Sequence, residues 1–293
     1  MYKRKVFTAL LFFLAIATVS SSGTVEVASS DVDQDLRIVS LGPNITETVF
    51  ALGKGNLLVG RTNYCDYPEE AKQIQSVGDL YNPSIETIVS LKPDVIVCSS
   101  IVSTETVAVL QNAGLSVAIV NPQESLEGTY ELIETVGTII GAEKESVELC
   151  SEIRERIFKV ESTVSSNVKE RKTVYYCVGF GEMGDFTATG DTFISGVIDV
   201  AGGENVAKDG RNWMFDKESL FIADPDVILI PVYSYSNPEG DINYLTSVEP
   251  YSNLSACKSG EIKLIDGNIM DRQGPRIADA VEEVARILYP EVF

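Results

Sequence analysis

Two glutamates stand at the same place in two copies of one phrase. The stretch SIETIVSLKPDVIV (84–97) aligns without a gap on DKESLFIADPDVIL (216–229), setting Glu86 against Glu218, Pro93 against Pro225 and Asp94 against Asp226. In each copy the carboxylate falls in the first turn of an expected helix. There it favours the positive end of the helix dipole by ~0.3–1 kcal/mol with no partner at all. The other residues able to do chemistry follow expected strands, in GPN (42–44), NYCDYP (63–68), DLYNP (79–83), SSIVS (99–103), FGEMGDF (180–186), RNWMF (211–215), YSYSNPEGDINY (233–244) and GNIMDRQGPR (267–276). In open parallel sheets, ligands bind outside the carboxyl ends of the strands. Tyr64, Tyr81, Phe186, Trp213, Tyr233 and Tyr235 could wall such a site, with Asn44, Asp271 and Arg272 as polar anchors. Half of these tyrosines could instead merely cover the sheet ends.

Catalysis has little to work with. Histidine is absent, which removes the commonest general base and metal ligand, and with them a Ser-His-Asp triad or a His-based zinc site. GFGEMG (179–184) has the spacing of a dinucleotide-binding turn, but that turn must open directly into a helix, and DFTATGDT intervenes. A glycine-rich loop that turns the chain or lets backbone approach a ligand fits better. No phosphate-loop lysine motif, nucleophile elbow or EF-hand spacing is present, so nothing here proposes a reaction and no catalytic residue, cofactor or resident metal is expected, with a secreted α/β enzyme kept as the lesser alternative. Its net charge of −20 argues against nucleic acid and anionic lipid surfaces.

With 44% hydrophobic and 23% charged residues over 293 positions, the chain can bury a large core. MYKRK followed by an apolar run (6–19) and SSSG has the layout of a secretory signal. The run is short of the ~20 residues of a spanning helix. Residues 1–22 therefore read as a signal or a retained anchor and 23–36 as a linker, which places the protein outside the cytoplasm. Five cysteines (65, 98, 150, 177, 257) show no paired spacing. A Cys65–Cys98 bond is conceivable, and the rest suit small buried apolar residues.

The elements that must position these residues alternate. Strands are expected at 37–42, 56–62, 95–99 and 117–120, with helices at 45–53, 84–91, 105–114 and 127–140 between and after them. The same grammar restarts with strands at 173–179, 227–232 and 261–266 and helices at 192–203 and 276–289. Such alternation implies βαβ units and parallel sheets. Between the halves, Val147, Cys150, Ile153, Ile157, Val160 and Val164 form one stripe at helical spacing, a continuous helix over 143–166. With no Gly- or Pro-rich hinge, it would hold the halves nearly fixed. The chain divides into a lobe at 37–141, a bridging helix at 142–168 and a second lobe at 169–293.

RIVSLGPNITETVFALG, CDYPEEAKQIQSVGD, NPSIETIVSLKPDVIV and FTATGDTFISGVIDVAGGENVAKD resemble, in order, signatures of the helical-backbone substrate-binding proteins of ABC importers that capture cobalamin and ferric siderophores. The likeness runs from about residue 37 to 289. It implies two Rossmann-like α/β lobes joined by a rigid helix, a ligand cleft between them, and a monomer that delivers cargo to a permease dimer with its ATPase subunits. It also implies that Glu86 and Glu218 meet arginines of the permease, one from each lobe. Cobalamin-binding members line the cleft with several tryptophans, whereas this chain has only Trp213, and Leu80 and Ser99 stand where bulky aromatics are expected. An anionic siderophore would need converging cations, for which Arg61, Arg211, Arg272 and Arg276 are candidates. Haem ligation through histidine is excluded, and through tyrosine it is open. The expected cargo is a bulky metal chelate, a corrinoid ahead of a ferric complex.

Overall fold

The computed structural model describes residues 36–99, 101–181 and 185–293. The expected signal segment, nearly all of the linker and the end of GFGEMG lie outside the described residues. Among the described residues no helix is long and apolar enough to cross a membrane.

The first lobe runs β1 (Ile38–Leu41), α1 (Pro43–Ala51), β2 (Leu58–Arg61), α2 (Ile85–Leu91), β3 (Val95–Ser99), α3 (Thr104–Asn112), β4 (Val117–Val120) and α4 (Leu126–Ile140). Its sheet is parallel throughout, in the order β2-β1-β3-β4. The order changes direction between β1 and β3, so the loops after those strands diverge and leave a crevice at their carboxyl ends. A single long helix, α5 (Glu143–Asn167), follows.

The second lobe runs β5 (Thr173–Gly179), β6 (Phe186–Thr187), α6 (Phe193–Val200), β7 (Glu204–Asn205), α7 (Lys217–Ala223), β8 (Val227–Val232), α8 (Pro238–Ser247), α9 (Ser255–Ser259), β9 (Ile262–Asp266), α10 (Gly267–Asp271) and α11 (Ile277–Leu288). Here β5-β8-β9 take the places of β1-β3-β4, all parallel. The place of β2 is shared by two short strands on β5, β7 parallel at one end and β6 antiparallel at the other. The antiparallel β6 was not expected. Nor were α8 and α10, whose stretches read as loops because Gly, Asn and Pro dominate their openings.

The repeated phrase folds the same way in both lobes. Ser84 caps α2 by accepting from the Thr87 amide, and Asp216 caps α7 by accepting from the Ser219 amide. Each helix ends on a left-handed non-glycine residue, Lys92 at φ 47° and Asp224 at φ 41°. The aspartates that follow serve as matching clamps. Asp94 accepts from the Arg37 amide at the mouth of β1 (2.8 Å), and Asp226 accepts from the Thr173 amide at the mouth of β5 (2.8 Å).

Helix α5 packs on α4 of the first lobe and on α6 and α11 of the second. Cys150, Ile153, Ile157 and Val160 of its stripe are buried, Val164 is partly buried, and Val147 is exposed near the helix start. The turn from α4 into α5 brings the helices so close that a Cβ on Gly137 would lie 2.6 Å from Ser146 Cβ. Arg156 of α5 bonds Asp279 (2.6 Å) and Glu282 (2.9 Å) of α11. One apolar core therefore runs from Ile45 and Ile133 through Ile157 to Val174 and Leu288, with a smaller core in each sheet's other face. All five cysteines are buried and free, so the conceivable Cys65–Cys98 bond is not formed.

Candidate ligand cleft

The segment Asp271–Arg276 leaves α10 and reaches across to the first lobe. Its centre is Glu47 of α1, only 3% exposed. Arg276 grips that carboxylate with two bonds of 2.7 Å, and Arg272 adds a third at 2.9 Å. Arg272 also bonds Asp66 (2.8 Å), Asn268 (2.7 Å) and the Tyr64 carbonyl (3.3 Å). Between the arginines, Gln273 donates to the carbonyls of Gln123 and Ser125, and its own carbonyl accepts from Asn44. A buried carboxylate is tolerated only when its lone pairs are matched, and here two guanidinium groups match them.

Two adjoining cavities open beside this latch. One, of about 500 Å³, is lined by Asn63, Tyr64, Asp66, Tyr81, Tyr233, Tyr235, Asn268, Asp271 and Arg272, among others. The other, of about 290 Å³, is lined by Asn44, Ser99, Ile101, Asn121, Glu124 and Gln273. They share Pro43, Leu80, Asp271 and Arg272. Residues from both lobes meet here, each from beyond a strand's carboxyl end. A larger cavity of about 620 Å³, between the start of α4 and α6, holds none of the expected site residues.

Seven of the nine expected ligand-facing residues thus line these two cavities. Phe186 and Trp213 line neither. The backbone explains why: Asn212 and Trp213 are left-handed (φ 57° and 63°), and the turn folds back so that the Trp213 carbonyl accepts from Thr187 and Phe186 bridges Met214. That stretch serves as a partner to β6 rather than as a cleft wall. Arg61 and Arg211 do not converge with Arg272 and Arg276 either. Arg61 bonds the carbonyls of Thr62, Ala71 and Lys72, and Arg211 those of Lys208 and Gly210.

Tyr233 and Tyr235 stack with ring centres 5.2 Å apart and planes 3° apart. The Tyr233 hydroxyl donates to Asp271, whose other oxygen accepts from the buried Tyr176 (2.8 Å). Burial pushes the Asp271 carboxyl up to about 6, with Tyr176 and Arg272 opposing the rise. The Asp79 carboxylate, which accepts a hydrogen bond from the Tyr64 hydroxyl, raises that phenol. Asn63, Asp66 and Asp79 lie inside loops that the strand pattern marked. Glu47 and Tyr176 gave no such signal, because one reads as a helix-face residue and the other as strand core.

Two outcomes follow. Glu47→Gln leaves two buried guanidinium groups short of charge and is expected to lower unfolding free energy by about 3–5 kcal/mol in urea titration; a loss below about 1 kcal/mol would mean that the cores alone hold the lobes. Asp271 has its folded-state value above its unfolded one, so its contribution to stability is fully present below pH 4 and is lost as pH rises through about 6. The stability of wild type minus that of Asp271→Asn should therefore fall by about 3 kcal/mol from pH 3 to 7. A difference that stays flat over that window would refute the assignment.

The chain is similar to known proteins in sequence and in fold. The family model described as "Periplasmic binding protein" matches residues 38–269. An uncharacterized ABC transporter substrate-binding lipoprotein of Bacillus subtilis is 29% identical, over 88% of this chain and 81% of its own. A cobalamin-binding protein of Halobacterium salinarum is 28% identical, over 86% of this chain and 69% of its own. Among solved structures, the periplasmic heme-binding protein of Roseiflexus sp. RS-1 in its apo form superposes with a TM-score of 0.76 at 25% identity, covering 88% of this chain and all of that one. With its two α/β lobes and a cleft between them, the chain belongs to the periplasmic binding protein family, among the substrate-binding proteins of ABC importers.

Proposed function

We propose that this protein captures a bulky metal chelate with a largely uncharged rim, a corrinoid in preference to a ferric complex, and hands it to an importer's permease. The state of the cleft cations carries this reading. Arg272 and Arg276 are both committed to Glu47, and Arg272 to Asp66 as well. Asp66, Asp79 and Asp271 at or beside the same cavity leave no surplus of positive charge for an anionic siderophore or for haem propionates. What the cleft offers instead is flat phenol rings and a ring of amide and carboxylate oxygens. Those surfaces suit a macrocycle fringed with carboxamides, which donates hydrogen bonds and has broad apolar faces.

A ferric complex is the second reading, supported by the exposed phenols of Tyr64, Tyr81 and Tyr235. Asp79 works against it at Tyr64 by disfavouring the phenolate that would bind iron. Calorimetric titration with cyanocobalamin, then hemin, then ferric chelates separates the two. Saturation by cyanocobalamin at one equivalent, with weak or no heat from the others, is expected. Tight binding of hemin alone would move the assignment to haem.

Delivery is assigned to Glu86 and Glu218. Both are exposed in the first turns of α2 and α7, one per lobe. Lys217, next to Glu218, turns away to Asp185 and the Gly181 carbonyl. Glu86→Arg with Glu218→Arg should leave cargo affinity intact and abolish permease-stimulated ATP hydrolysis and uptake. Full uptake by the double variant would overturn the docking role.

A further inference from the structure

The stacked tyrosines stand between two chambers. Tyr233 and Tyr235 line the cleft cavity of about 500 Å³ and also a separate one of about 490 Å³. The second chamber lies over the carboxyl ends of β5 and β8, with Val178, Phe180, Ile230 and Pro231 as its other apolar walls. From β5 the chain goes to β6 and β7 on one side and to β8 on the other, the change of direction at which a sheet leaves a crevice for a ligand. The partition is fixed by the protein itself. Ser236 accepts from the Tyr233 amide (3.0 Å), Asp271 accepts from its hydroxyl, and its ring lies so close over Gly267 that a Cβ there would meet it at 2.4 Å. Opposite, Phe180 packs on Tyr244 with ring centres 5.0 Å apart.

One charged side chain lines this chamber, that of Asp241 in the first turn of α8. It is partly buried, and its charge reaches the Cys177 thiol, adding to the rise that burial and Asp185 cause there. In the cleft, Asp66 is matched by Arg272 and Asp271 by two phenols. Among the described residues, no ion pair or side-chain hydrogen bond engages the Asp241 carboxylate in the same way. Ser236 also lines the chamber; its oxygen accepts from the Tyr233 amide, so its proton remains to donate. An open acceptor and an open donor between apolar and aromatic walls complement a primary amide on a short apolar arm.

We infer that this chamber is a second subsite of the cleft, which takes one carboxamide arm of the cargo over the Tyr233–Tyr235 rim. The arm's NH2 group donates to Asp241 and its carbonyl accepts from Ser236. The inference rests on the corrinoid reading. A carboxylate arm in the same place would set two like charges against each other and lose the donor that Asp241 requires, so the subsite selects amide over acid.

The test is calorimetric titration of the full chain with cyanocobalamin and with its monocarboxylic acids, in each of which one side-chain amide has been hydrolysed. At neutral pH one of these acids should bind wild type about tenfold more weakly than cyanocobalamin. Asp241→Asn should remove that penalty, because its amide can donate to the acid. Val178→Trp, which fills the chamber from an exposed position, should weaken cyanocobalamin itself about tenfold. A penalty absent from wild type would overturn the subsite, as would one that persists in Asp241→Asn because the main cavity's carboxylates cause it. Unchanged cyanocobalamin affinity in Val178→Trp would overturn it too. A wild type that binds no cyanocobalamin would remove the corrinoid reading, and the subsite for its amide arm with it.

Discussion

Everything at the cleft depends on how Glu47 is neutralised. A carboxylate so deeply buried would be costly alone, and the chain reaches from one lobe to the other to match it with Arg272 and Arg276. Because the glutamate belongs to α1 and the arginines to the segment after α10, charge matching and lobe registration are one event. The same bonds match both cations with protein carboxylates: Arg272 lines both cavities but is held by Glu47 and Asp66, and the rest of the rim is phenols, amides and carboxylates.

A second restraint acts behind the cleft. Helix α5 is clasped by α4 through the close approach at Gly137 and tied to α11 through Arg156. The latch at Glu47 and the clasp on α5 fix the lobes at two separated places, which a hinge would not. A binding site built this way has its shape largely set before cargo arrives, so little ordering entropy opposes binding.

The alternation of strands and helices was legible from β-branched runs and turn residues, and the long helix from one apolar stripe. The loops flanking the cleft were legible too, since they follow strands in parallel sheets. What escaped reading was set by contacts distant in sequence. Trp213 looked like a cleft wall until a left-handed turn bound it to β6. The arginines looked like free cations because Glu47, more than 220 positions away, carries no mark of burial in an amphipathic helix. Val147 fits the stripe of α5 by spacing, but it lies where the helix has not yet entered the core.

The shared core has a consequence for the order in which the protein can be completed. Ile277, Val281, Val284 and Leu288 of α11 pack into the same apolar body as Ile45 of α1, Ile133 of α4 and Ile157 of α5. When only the first lobe and the bridging helix have been synthesised, the side of that body they present is still bare. The lobes share a grammar but not independence: neither is a finished product until the last helix arrives. Until then the growing chain must be kept from self-association by something other than its own fold.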